Sequence, residues 1–135
     1  MKHIIFFTAC LVSFAAYSQE IAKAQANGPV ITWEKSTHDF GDIRQGDKVE
    51  YTYSFTNTGN EPLIITNVQV TCGCTTPKGF PRDPIAPGQS GEITVGFNST
   101  GKIGKQNKVV TIVSNSTGNT NQVSFTTNIL KPENP

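Results

Sequence analysis

The chain has 135 residues, enough for one domain, and its 11 basic residues nearly cancel its 10 acidic ones, a formal net charge of +1. A balance that even excludes the electrostatic footprint of a nucleic-acid binder or of a protein held on an anionic membrane surface. The nearest thing to a basic patch, Lys102, Lys105 and Lys108 around a glycine-rich turn, reads as a solvated loop.

Lys2 and His3 open the chain with positive charge, and Ile4 to Ala16 follows as an apolar run broken only by Thr8 and Ser13. Ala16-Tyr17-Ser18 places small residues at the two positions a signal peptidase reads, so residues 1–18 are expected to be a signal peptide cleaved before Gln19. The protein is then exported, periplasmic or secreted. The run falls short of the about 20 apolar residues a spanning helix needs, and no second run follows, so no integral membrane segment is expected after cleavage. A lipoprotein cleavage at Cys10, after Phe7-Thr8-Ala9, would leave too short an apolar core. Loss of Lys2 leaves 10 basic against 10 acidic residues, and loss of Cys10 leaves two of the three cysteines, Cys72 and Cys74.

Residues 19–29 are polar and Ala-rich and end on the breaker Asn27-Gly28-Pro29, which predicts a flexible leader. Val30 to Glu34 reads as a short strand holding Trp33, and Thr37 to Ile43 as a second extended piece before the turn at Gly46-Asp47. Lys48 to Thr58 is the clearest strand. Val49, Tyr51, Tyr53 and Phe55 share one face and Glu50, Thr52, Ser54 and Thr56 the other, the mark of a sheet with one buried and one wet side. Asn57-Thr58-Gly59-Asn60 supplies a turn.

Leu63 to Cys72 is a strand in two phases, Leu63 and Ile65 against Ile64, Val68, Val70 and Cys72, and a bulge near Asn67 reconciles them. Thr76 to Ser90 carries so many prolines and glycines that a loop is expected, with a type II turn at Ala86-Pro87-Gly88-Gln89. Strands follow at Gly91 to Asn98, Lys108 to Ser114 and Gln122 to Leu130, and residues 131–135 read as a disordered tail. Six or seven short strands with turns about every 8–12 residues and no helical period predict an all-β antiparallel sandwich over residues 30–130.

Three readings compete for Cys72-Gly73-Cys74. Side chains two apart on a strand point the same way, so the sulfurs are neighbours and able to bond. A fully extended pair would stand about 6.6–7.2 Å apart at Cα, at the limit of about 6.8 Å for a disulfide, and Gly73 relieves this by kinking the backbone. The ring closes almost no loop and so stabilises the fold little. It would be strained and easily reduced, which makes a thiol–disulfide role chemically possible. Alternatively, two thiolates suit a soft ion such as Cu(I), but further ligands are missing, since Met1 leaves with the signal peptide and His38 is the remaining histidine. In the third reading the pair is structural, bonded or packed, and this is preferred; no metal or cofactor is expected.

Other residues carry less. Asp39, Asp42 and Asp47 lack the spacing and the bidentate Glu of a calcium loop and read as turn acids. His38 reads as a surface residue rather than a general base. Asn98-Ser99-Thr100 and Asn115-Ser116-Thr117 match the glycosylation pattern. Phe80, between Gly79 and Pro81, is a contact candidate, and Thr75, Phe80 and Arg82 are taken as a possible partner-binding loop.

In combination, several of these motifs resemble a known family. They are Asp39-Phe40-Gly41 with Ile43, Phe55, Asn57, Gly59, Pro62-Leu63, Ile65 and Val68, then Cys72-Gly73-Cys74-Thr75, Pro84-Ile85, Pro87-Gly88, Gly91, Ile93, Val95, Phe97, Gly101, Gly104 and Asn115. Over Trp33 to Leu130 the chain is similar to the bacterial domain-of-unknown-function family DUF1573. The resemblance implies an immunoglobulin-like sandwich related to Hydin-type and major-sperm-protein-like modules, and it implies no catalytic residues. The expected function is therefore a non-enzymatic exported module that binds a protein or an envelope component. The rival is a thiol–disulfide or copper-handling protein that uses Cys72 and Cys74.

Overall fold

The computed structural model describes residues 27–118 and 121–133. The expected signal peptide, the leader up to residue 26 and the last two residues of the tail lie outside the described residues. Eight strands are present among the described residues: β1 (Ile31–Trp33), β2 (Thr37–Arg44), β3 (Lys48–Asn57), β4 (Ile65–Val70), β5 (Thr75–Gly79), β6 (Ser90–Asn98), β7 (Gly104–Ser114) and β8 (Gln122–Leu130). They form two four-stranded sheets, ordered β1-β3-β6-β5 and β2-β8-β7-β4. The sandwich expected from the strand pattern is the architecture found.

Alternation decides the core. On β3, Tyr53 and Phe55 are buried while Thr52 faces out, and β6 answers with Ile93, Val95 and Phe97. The second sheet contributes Val110 and Ile112 from β7 and Val123, Phe125 and Ile129 from β8. Phe97 and Phe125 meet edge to face across the layers, ring centroids 5.3 Å apart, and Phe40 joins Phe125 at 5.4 Å. Tyr53 is buried with its hydroxyl intact because it donates to the Ser124 carbonyl at 2.8 Å, which also ties the two sheets together.

Two irregularities were foreseeable. The pairing of β4 with β7 shifts register between Ile65 and Asn67, so Ile65 and Val68 both point inward although they lie three apart. Gly88 takes φ of +82° and Gln89 N–H donates to the Ala86 carbonyl at 3.0 Å, the type II turn that Pro87-Gly88 requires.

Three features differ from expectation. All pairs are antiparallel except β2 with β8, which run parallel. A hairpin forces antiparallel pairing, but β2 follows a crossing from one sheet to the other and meets β8 from far along the chain, so no hairpin constrains it. Strand β7 also begins at Gly104, earlier than its hydrophobic residues suggested. Finally, the segment expected to be all loop contains β5, at Thr75–Gly79. Pro77 is tolerated because β5 is an edge strand with one bonded neighbour, and the register against β6 shifts between Pro77 and Gly79. The rest of that loop is pinned by mutual backbone hydrogen bonds between Leu63 and Ile85, at 2.9 and 2.8 Å.

Gly59 marks a close approach of chain segments. A Cβ there would drive into the Gly28 carbonyl oxygen and lie 2.7 Å from the Val30 nitrogen.

Candidate functional site

The chain leaves β4, crosses from one sheet to the edge of the other, and makes the Cys72–Cys74 turn at that crossing. The two sulfurs are joined in a disulfide, with Cα atoms 5.2 Å apart. Thr75 N–H donates to the Cys72 carbonyl at 3.1 Å, closing the turn, and Asn98 N–H fastens it to β6 through the Cys74 carbonyl at 2.9 Å. The kink expected at Gly73 is made without a positive φ, and a Cβ there would meet nothing within 4 Å. The turn is therefore compatible with an ordinary backbone, and the outer side of the ring is open. Cys74 packs against the core. Its backbone N–H points at Cys72 Sγ, 3.1 Å away.

The expected loop of Thr75, Phe80 and Arg82 is not one loop. Thr75 is 4% exposed and is the first residue of β5, so it presents no side chain to a partner. Phe80 and Arg82 lie past the other end of β5, separated from the disulfide by a strand of five residues, roughly 16 Å at the usual rise per residue. Phe80 is half-buried against the core, and the Arg82 guanidinium stacks 4.2 Å above its ring centroid. Between the two ends, Lys78 reaches over Gly96 to Glu50 at 2.7 Å, an exposed pair.

Asp39, Asp42 and Asp47 are turn and bulge acids. Asp39 accepts from Gly41 N–H at 2.8 Å, Asp47 from Arg44 N–H at 2.9 Å, and Asp42 from Asn128 Nδ2 at 3.0 Å. No group of three or more His, Cys, Asp or Glu side chains converges among the described residues. Neither Asn of the two glycosylation patterns is idle. Asn98 Oδ1 accepts from Thr100, and Asn115 clasps Ile64 N–H and the Pro62 carbonyl.

Sequence reasoning read His38 as a surface residue rather than a general base, and the structure leaves it half-buried. Its ring stacks on Tyr51 at 3.7 Å and meets Phe40 edge to face at 4.6 Å, and its Nδ1 is buried without a hydrogen-bond partner. Burial, helped by Lys35 and opposed by Asp39, lowers its pKa from the ordinary value of 6.5. The only signal for this was the alternation that puts His38 in phase with Phe40 on β2. The unfolded chain therefore takes a proton at a pH where the folded chain does not. Stability should be constant above about pH 6.5, fall as the pH drops below it, and level off once His38 is protonated in the fold as well. Urea midpoints between pH 8 and pH 5 check this, and His38→Phe, which keeps an aromatic stack, should flatten that part of the profile.

Tyr53 titrates well above the ordinary tyrosine range, because it is buried and because Tyr51 lies beside it.

No helix among the described residues is long and apolar enough to cross a membrane. No curated protein matches the chain. Among solved structures, the fold is similar to a protein of unknown function from Porphyromonas gingivalis W83, at TM-score 0.64 and 18% identity, covering 79% of this chain and 50% of that one. It is also similar to the secreted serine protease VesC from Vibrio cholerae, at TM-score 0.55 and 20% identity over 76% of this chain and 23% of the protease. The ASH/PapD-like domain 7 of human CEP192 matches at TM-score 0.55 and 9% identity, over 76% of this chain and 87% of that domain. The chain thus spans half or less of the two bacterial proteins, and at such identities the likeness is one of fold, an immunoglobulin-like sandwich. The model of a protein of unknown function, DUF1573, matches residues 31–129, nearly all of the described sandwich, and the chain belongs to that family.

Proposed function

We propose that this chain is an exported, non-enzymatic β-sandwich module that captures a protein or cell-envelope partner on the surface that runs from β5 to Phe80 and Arg82. The observation that carries the reading is the Arg82 guanidinium held 4.2 Å over the half-buried Phe80 ring. An arginine already stacked on an aromatic loses little freedom on binding, and arginine and aromatic residues dominate the energetics of protein interfaces. The edge strand β5 beside it is hydrogen-bonded to one strand, β6, among the described residues.

The His38 imidazole is spent on stacking with Tyr51 and Phe40, which fits a packing role rather than that of a general base. The likeness to a secreted protease covers only 23% of that chain. Export rests on the first 18 residues of the sequence, and N-terminal sequencing of the mature protein from a fractionated host should start at Gln19.

Phe80→Ala with Arg82→Ala should weaken capture of envelope partners from the native host at least tenfold, while shifting the melting temperature by only a few degrees. A tenfold loss corresponds to about 1.4 kcal/mol, a modest demand on a stacked arginine–aromatic pair. Equal capture by the wild-type domain and the folded double variant would refute this surface.

A further inference from the structure

We propose that Cys72–Cys74 is a reversible thiol–disulfide exchange site in which Cys72 is the sulfur that bonds to a partner thiol and Cys74 is the resolving sulfur. This is independent of the binding surface at Phe80, and it adds a stoichiometric exchange with a partner thiol rather than turnover of a substrate.

A structural staple joins segments far apart in sequence, since its stabilising effect comes from the loop it closes. The sequence separation of this bond is 2. Both cysteines also lie in one turn that backbone hydrogen bonds from Thr75 and Asn98 already hold. The bond therefore adds little to the fold, and opening it need not unfold the sandwich.

The surroundings of the two sulfurs differ. Cys72 Sγ accepts the Cys74 backbone N–H at 3.1 Å, so a thiolate formed on Cys72 is met by a donor already aimed at it. A hydrogen bond to the charged form favours ionisation, and the thiolate is the reactive species. Cys74 packs against the core, and its sulfur has the Thr75 hydroxyl at the edge of hydrogen-bonding range, Sγ to Oγ1 4.0 Å. Gly73 places no side chain over the ring, which leaves a path for an incoming thiol.

The exchange balances without a metal or other cofactor. A thiolate of a partner dithiol attacks Cys72 Sγ, forming a mixed disulfide, and the bonding pair leaves with Cys74, which takes up a proton. The second partner thiolate then attacks the partner sulfur of that mixed disulfide, releasing Cys72 as the thiolate and oxidising the dithiol to a disulfide. Two electrons pass from the dithiol to the Cys72–Cys74 bond. The reverse sequence, starting from the Cys72 thiolate, carries them to a partner disulfide.

The test uses the whole mature domain in glutathione redox buffers, with thiol alkylation and mass spectrometry. The wild-type pair should open and close reversibly with the fold retained by circular dichroism. In the Cys74→Ser variant, which keeps the backbone N–H of residue 74, oxidised glutathione should be captured at Cys72 at least ten times faster than at Cys74 in Cys72→Ser. The alkylation rate of Cys72 should follow an apparent pKa below the ordinary thiol value of about 8.5. Should either variant fold poorly, peptide mapping of the reduced wild-type domain after brief alkylation gives the same comparison. A pair that stays closed throughout the buffers, equal labelling of the two sulfurs, or unfolding on reduction would each overturn the proposal. Phe80→Ala with Arg82→Ala should leave all these rates unchanged.

Discussion

Asn57→Ala should be among the most damaging single substitutions in the domain, lowering stability by about 4 kcal/mol, at about 1–3 kcal/mol for each buried partner left unpaired. Asn57 is fully buried, and both ends of its amide are in use. Nδ2 donates to the carbonyls of Glu61, at 2.8 Å, and Ile85, at 2.9 Å. Oδ1 accepts from Gly59 N–H at 3.0 Å and Val30 N–H at 3.2 Å. One side chain thereby joins the start of β1, the turn after β3 and the proline-rich loop. Truncation strands the Val30 and Gly59 N–H groups and the Glu61 carbonyl, while the Ile85 carbonyl keeps its bond from Leu63 N–H. Since a domain of this size has only about 5–15 kcal/mol in hand, the melting temperature should drop by at least about 15 °C, at about 4–8 °C per kcal/mol. Asn57→Asp, which keeps the acceptor but sets a carboxylate oxygen against the Glu61 and Ile85 carbonyls in a buried site, should cost at least as much at neutral pH. A loss below about 1 kcal/mol in thermal or urea unfolding would mean that these four bonds are not what holds the turn.

Phe125→Ala should be of the same order, about 3–5 kcal/mol for an aromatic ring removed from a core. Phe125 is 2% exposed, lies on the central strand β8, and touches Phe97 from the opposite sheet and Phe40 from the edge. Its loss removes the ring through which the two layers meet and releases Phe40, which also steadies His38. Phe125→Leu, with less volume lost, should recover more than half of the deficit. If alanine and leucine prove equally costly, the ring geometry rather than the filled volume is decisive.

Much of this was legible locally. The alternation from Val49 to Phe55 identified β3 and its buried face, since side chains along a strand repeat every two residues. Pro87-Gly88 announced its turn, because proline presets one dihedral and glycine admits the next. Leu63 with Ile65 against Val68 announced the bulge, because two phases cannot share one uninterrupted ladder. The Cys72–Cys74 neighbourhood was equally plain from spacing. What spacing did not show was how unlike the two sulfurs are, since that comes from an N–H direction and from core packing.

By itself, then, the amino-acid order determined most of the strands, though not β5, which face of each is apolar, where the chain turns, and that two cysteines lie within bonding reach. These follow from interactions between residues a few positions apart. The tertiary structure alone decided that β2 runs parallel to β8, that Pro77 lies in an edge strand, that Thr75 is buried while Phe80 and Arg82 lie beyond the far end of β5, and that His38 is a packed ring. It also made Asn57, on its face a turn residue, the hub between segments 27 and 28 positions away. Each of these depends on which distant segment supplies a neighbour, and short-range periodicity contains no record of that.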